Sequence, residues 1–478
     1  MTNLLKTICL LISLNLFFAN GGLMPLFSIK VLADYYAEPD VSTGIYSSIS
    51  LKQDGSLWSW GLNKDGQLGD GTKVYKATPV KISSLNNVSR IESGAWHSIA
   101  LTSDKTVYTW GWNEFGQLGI GSTLTKESPQ KIEKLSNIID ISAGFSHSVA
   151  LRSDGTVWSW GNNEFGQLGN KTYSNSNEPV KIEDLSDIVS IAAGEDHTVA
   201  LKRDGTVWTW GNNEFGQLGS ATKEKTSRPM IINGFSNIVS VTAGYGYTLA
   251  LTSEGTVWGL GNNDYGQLGD GSTTNTYIPV KVSNLNNVVK IDACSDYSVA
   301  IKKDGTLWHW GANCSALKSN ATLENRLTPV QVPNLSSITN VSINKTHALA
   351  VKNDGTIWAW GNNKHYQLGS KLLQASDIPV VVENINLLTN EKAKDSSGLG
   401  NPAPTSTTKS IPTATPTSKP TSTPTVKPTA TPTAKPTSAP TVKPTATPTA
   451  KPTSAPTVKL TATPTAKPTS APTVKPTA

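Results

Sequence analysis

"TVWTWGNNEFGQLG" occupies Thr206–Gly219, "TVWSWGNNEFGQLG" Thr156–Gly169 and "TVYTWGWNEFGQLG" Thr106–Gly119. The three stretches are spaced by 50 residues, and the Trp-Gly step inside them recurs at Trp60-Gly61, Trp310-Gly311 and Trp360-Gly361. Leu260-Gly261 stands in the remaining frame. Seven units therefore repeat without drift, over residues 40–388. A fixed period of this length marks a repeat architecture, whose units bury their faces only against one another.

Each unit has the same internal order. "VSIAAG" (Val189–Gly194) and "HTVALKR" (His197–Arg203) read as two short strands, and Asp204-Gly205 is a tight hairpin turn. "TVWTWG" is a third strand, followed by the loop "NNEFGQLG". A fourth strand is entered through a proline, as in "EPVKI" (Glu178–Ile182). Four short strands repeated seven times predict an all-β chain, a seven-bladed β-propeller of four-stranded blades. Twelve of the 14 tryptophans fall in the third-strand slot, which assigns them to packing between blades. The first strand ends in small residues (Ala143-Gly144, Ala193-Gly194, Ala243-Gly244), which suits the crowded centre of a ring. Antiparallel order then places the Gly-x-x-His turn and the "NNEFGQLG" loop on one rim. The Asp-Gly hairpins and the links between units share the other. Whether a blade coincides with a sequence unit is left open.

The flanks differ from the repeat. Residues 1–33 carry Lys6, the apolar run Thr7–Phe18 and a Val31-Leu32-Ala33 end, the pattern of a secretory signal peptide. An uncleaved anchor is the alternative. A short segment (34–39) precedes the repeats and a linker (389–400) follows them. Residues 401–478 form a Pro/Thr/Lys-rich tail that repeats "TSAPTVKPTATPTAKP" with no acid and no aromatic residue. Such a tract builds no core and is expected to be disordered and extended. It is read as a tether, its lysines able to lie against an anionic cell-wall polymer. Of the formal charge of +6, +2 lies in residues 1–33 and +9 in 396–478, which leaves −5 for 34–395. An acidic body argues against binding nucleic acid through a basic face. A secreted or extracellular location, with association to the cell wall, and a monomeric state are expected. Beyond the leader, Cys294 and Cys314 form an even pair. In an exported chain they can bridge, and two free thiols are the alternative.

The pattern "AGxxHTxAL…DGTVWTWGNNEFGQLG" closely resembles the repeat of the regulator of chromosome condensation family, a seven-bladed propeller, over about Asp40 to Leu388. Founding members of that family are nuclear guanine-nucleotide exchange factors that bind chromatin. The resemblance in kind is to the family's secreted bacterial type, which inhibits β-lactamase through one rim. The resemblance thus implies a binding function on a rim, with nucleotide exchange the weaker expectation. The chain departs from the pattern at Leu260, and at "ANCSALKSN" (Ala312–Asn320), where other units read "NNEFGQLG".

Nothing in the chain reads as an active site. His97, His147, His197 and His347 recur once per unit, too far apart for a metal ring, and each is expected to bond a nearby backbone group. Glu114, Glu164 and Glu214 are equally spread. No catalytic residue, metal or cofactor is assigned. The stronger signal lies where the repeat does not repeat. Between the Gly and His slots stand Ile45-Tyr46, Ala95-Trp96, Phe145-Ser146, Glu195-Asp196, Tyr245-Gly246, Ser295-Asp296 and Lys345-Thr346. The architecture does not dictate these pairs. Tyr46, Trp96, Phe145 and Tyr245, with Trp112 nearby, offer aromatic anchors. Glu195, Asp196 and Asp296 form an acidic sector, with Lys345 beside it. Aromatic residues ringed by charge favour a protein partner. A carbohydrate stacked on Tyr46, Trp96 and Trp112 is the alternative.

Overall fold

The computed structural model describes residues 37–312, 324–371 and 374–389. The leader, the tail and most of the linker lie outside them. Blade 1 comprises β1 (Asp40–Thr43), β2 (Ser47–Leu51), β3 (Leu57–Gly61) and β4 (Lys76–Lys81), hydrogen-bonded in that order. Six further antiparallel sheets of four strands follow the same order, from Val88–Lys131 (blade 2) to Ile338–Val381 (blade 7). Blade and sequence unit coincide, and no strand is exchanged between blades. The first strands are innermost and pack on one another around the ring, β1 closing onto Ile338–Ile343 of blade 7.

The core is divided among seven clusters, each built from two consecutive blades. Between blades 2 and 3, Ile99, Leu101, Val107, Ile132 and Leu135 meet Ile138, Ile141, Ala150 and Trp160. Between blades 7 and 1, Leu349, Val351, Ile357 and Leu387 meet Val41 and Trp60. Third strands read buried, half-buried, buried, buried, because the second tryptophan of Trp-x-Trp enters the neighbouring interface and the first lies under a cation. Trp210 is fully buried, while Trp208 has Lys202 5.7 Å above its ring.

The conserved wording of the loop has a local cause. In blade 3, Asn163 Oδ1 accepts the Leu168 amide (3.0 Å) and Gln167 Oε1 accepts that of Phe165 (2.9 Å). This fold of the loop hands the Gln167 carbonyl to the next blade. There it accepts Trp210 Nε1 (2.8 Å) and Thr198 Oγ1 (2.8 Å). The same carbonyl–indole bond is made by Trp60, Trp110, Trp160 and Trp310. In blade 5 Leu260 has no indole, and Gln217 keeps only Thr248 Oγ1 (3.3 Å).

The glycine closing each loop follows from the same contact. A Cβ on Gly119 would stand 2.7 Å from Trp160 Nε1, at φ +67°. At Gly219, which faces Leu260's blade, the nearest atom is Ile232 Cγ2 at 3.1 Å. Both glycines have positive φ, worth about 1 kcal/mol against alanine. Only Gly119 also collides with a rigid ring, which adds about 1–3 kcal/mol. Gly119→Ala is therefore expected to lower the urea midpoint markedly more than Gly219→Ala, and equal losses would refute the packing account.

Candidate functional site

The irregular pairs sit on a belt of hydrogen bonds that fixes their backbone. His97 Nε2 meets Ser148 Oγ (2.9 Å), His147 meets Thr198 Oγ1 (3.0 Å), His197 meets Thr248 Oγ1 (3.1 Å) and His347 meets Ser48 Oγ (2.8 Å). The expectation of a backbone partner is corrected here. The imidazole reaches past its own blade to the first hydroxyl of the next one. Thr198 spends its proton on the Gln167 carbonyl, so His147 donates through Nε2–H. Its Nδ1 is left buried with no hydrogen-bond partner, as are those of His97 and His197. Burial pushes His97, His147 and His347 down to about 3, and His197 to about 4. In blade 5 Tyr247 takes the role, donating to Tyr297 O (2.7 Å) with Ser298 Oγ at 2.9 Å. Gly144 precedes the turn because a Cβ there would lie 2.3 Å from His147 Cε1 and 2.4 Å from Gly194 O.

Above the belt the varying residues fall into two sectors of one rim. Ile45, Ala95, Phe145, Glu195, Ser295 and Lys345 line the mouth of the central channel. Tyr46, Trp96, Asp196 and Asp296 occupy the next position out. Tyr46 packs on Trp96 (centroids 5.8 Å, 51°) and edge-on against His365 (4.7 Å). His365 continues to Tyr75 (5.9 Å), so four rings from blades 7, 1 and 2 run together. Trp112 stands edge-on to Phe115 (5.3 Å), and Tyr245 to Phe215 (5.7 Å). Tyr75 is 43% exposed, and Tyr46, Trp96 and Trp112 are half-buried.

The acidic sector is under-compensated. Burial, then Asp196, raises Glu195 to about 7, with Asp296 adding to the rise and Lys345 opposing it. Burial and Glu164 raise Asp196 to about 6. Burial raises Asp296 to about 6 against Lys345, although Gln267 Nε2 donates to it (3.1 Å). Cys294 has no disulfide partner among the described residues, and Cys314 lies outside them.

Two groups of residues went unread in the sequence. His365, Tyr75, Phe115 and Phe215 join the aromatic sector from the loops after the third strand. The replacement of the repeated Phe by His365 was the available signal. The second group lines the channel: Asp40, Arg90, Lys290 and Asn340 at one level, Glu92 and Asp292 at another. Its signal was variation at alternate first-strand positions around an invariantly aliphatic one, Val41, Ile91, Ile141, Ile191, Val241, Ile291 and Val341.

The family model described as RCC1-like domain matches residues 135–400. Two models of the regulator of chromosome condensation (RCC1) repeat match residues 54–101 and 104–151, and 40–67 and 88–117. The chain belongs to the RCC1-like family. No curated protein sequence matches it. Solved structures share its fold. Human WBSCR16 is 22% identical with a TM-score of 0.62, covering 68% of this chain and 94% of its own. Yeast RCC1 (Prp20), bound to Kap60, is 20% identical with a TM-score of 0.64, covering 80% and 98%. A second structure of Prp20p from Saccharomyces cerevisiae gives 22% and 0.63, covering 77% and 96%.

Proposed function

We propose that this RCC1-like propeller is a non-enzymatic, exported binding scaffold that presents the rim of Tyr46, Trp96 and Glu195 to a protein partner, held on its Pro/Thr-rich tether. The observation that carries the reading is the chain of rings Trp96–Tyr46–His365–Tyr75, assembled from residues the repeat does not require. Half-buried aromatic anchors beside charge are the makings of an interface hot spot. Support by analogy comes from yeast Prp20, solved with Kap60 and described with binding to Gsp1p and histones. The rings pack edge-on or tilted against each other, which suits a side-chain pocket better than flat sugar stacking.

The test is capture from secreted and surface proteins by the full chain, compared with a Trp96→Ala/Phe145→Ala/Tyr245→Ala variant. Loss of a specifically retained protein, with an unchanged melting temperature, is expected. Hot-spot truncations cost about 2 kcal/mol or more each, so retention should fall by more than a hundredfold. Identical capture by both proteins would refute the rim reading. Retention on polysaccharide, lost in Trp96→Ala, would favour the carbohydrate alternative.

A further inference from the structure

The first strands enclose an axial channel of about 550 Å³, within the range of about 300–1,000 Å³ usual for small-molecule sites. Its walls are unlike. Blades 4 and 5 contribute Ser190, Ala192, Ser240 and Thr242, which leave room. The opposite wall carries Asp40, Arg90, Glu92, Lys290 and Asp292. The cations there are already engaged. Arg90 contacts Asp140 (3.0 Å) and Glu92 (3.4 Å), and Lys290 donates to Asn340, which donates to Asp40. Asp292 accepts the amides of Ala293 (2.9 Å) and Ile343 (3.1 Å), tying blade 6 to blade 7. Glu92 accepts no backbone amide, and its one contact, to Arg90, is long (3.4 Å). It lines the channel with 31% of its side chain accessible.

We propose that the channel binds an extended organic cation, an ammonium group on an aliphatic chain, which enters past Glu195 and Asp296 and reaches Glu92 and Asp292. Five carboxylates (Glu38, Asp40, Glu92, Asp292, Glu195) and three cations (Arg90, Lys290, Lys345) line this path, with Asp296 next to the mouth. They are strung out along the axis. Three strand residues separate the level of Glu195 from that of Glu92 and Asp292, or ~10 Å, and Asp40 lies ~7 Å deeper. Among the described residues no three acids, histidines or cysteines converge to hold a metal ion. Charges spread along a line match a linear ligand better than a point ion. Glu92 is met only weakly in the free protein, by the long contact to Arg90 (3.4 Å). Burial raises it to about 8, with Arg90 opposing and Asp40, Asp140 and Asp292 adding to the rise. An entering ammonium reverses that balance and expels protons. The ammonium can come from a free polyamine or from a lysine side chain of a partner. The site is independent of the rim reading, since capture of a protein on the aromatic sector requires nothing of Glu92.

Calorimetric titration of the full chain with spermidine, a blocked Gly-Lys-Gly peptide and Mg²⁺ tests this. One spermidine per chain is expected, bound more tightly at pH 8.5 than at pH 6 and with proton release that tracks the buffer. Glu92→Gln is expected to weaken binding at least tenfold without loss of melting temperature. Ser240→Lys, which places an ammonium in the channel from the neutral wall, should abolish it. Binding of the lysyl peptide alone would support the same site and assign its ligand to a protein. The proposal fails if no organic cation binds, if Glu92→Gln binds as the wild type does, or if Mg²⁺ displaces spermidine at equal charge.

Discussion

Trp160→Ala is expected to destabilise the propeller by about 3–5 kcal/mol, lowering the melting temperature by roughly 4–7 °C. The indole is fully buried between blades 2 and 3, and its Nε1 donates to Gln117 O (2.8 Å). Truncation leaves a cavity and strips that carbonyl of a donor. Relaxation is limited, because moving blade 3 inward would disturb the closed ring. The control is Trp158→Ala in the same strand. Trp158 is half-buried, with Arg152 5.8 Å over its ring, and its loss should cost about 1 kcal/mol. Thermal unfolding followed by circular dichroism separates the two. Similar shifts would mean that the second tryptophan is no more than surface cover.

The belt histidines make the second large effect, an acid sensitivity. An unfolded chain titrates histidine near 6.5, whereas His147 titrates at about 3 in the folded protein. Burial sets that value, with His97 and His197 adding to it, and protonation would place an unpaired cation on Nδ1. A folded value depressed in this way gives stability that is complete above pH 6.5 and lost as pH falls towards 3. Each such histidine contributes about 1.4 kcal/mol per pH unit in that window. The raised carboxyl groups act oppositely. Glu92 at about 8 and Glu195 at about 7 destabilise the fold above their unfolded values, and that cost recedes on acidification. Wild-type acid unfolding is therefore a balance of the two. A single replacement isolates one side of it. His147→Gln is expected to cost stability at pH 7, and the deficit should shrink by about 2 kcal/mol by pH 5. Urea unfolding at the two pH values reads this directly, and a deficit that stays constant would show that His147 does not titrate as its burial requires.

The fold was legible because the repeat states it seven times. The period set the blade number, Asp204-Gly205 and its equivalents marked the hairpins, and the small residues ending each first strand placed it innermost. What escaped was whatever depends on the relation between units. The histidine partner lies 51 residues away in the next blade, where a pattern read within one unit cannot find it. Blade phasing escaped for a similar reason. The first and last blades each carry a full set of four strands, so the seam shows only in the packing of Val41 and Trp60 on Leu387 and in the hydrogen bonds that cross it. The rim pairs were visible as irregularities. Their gathering into an aromatic and an acidic sector required the angular order of blades and the reach of His365 across to Tyr46. The channel lining was written at alternate positions of the first strands, but a reading centred on the small strand ends passed over it.

The seam has a wider meaning. Ala37 N donates to Gln53 O (2.8 Å), Gln53 N donates to Leu387 O (2.8 Å) and Thr389 N donates to Gln53 Oε1 (3.3 Å). Beginning and end are thus neighbours on the face that also carries every connection between blades. The junction of blades 7 and 1 is chemically one more interblade joint that happens to lack a covalent bridge. A gene reopened between any other two blades, with its old ends spliced, would encode the same wheel. The order in which the spokes are translated is a matter of ancestry, and the circle itself has no first member.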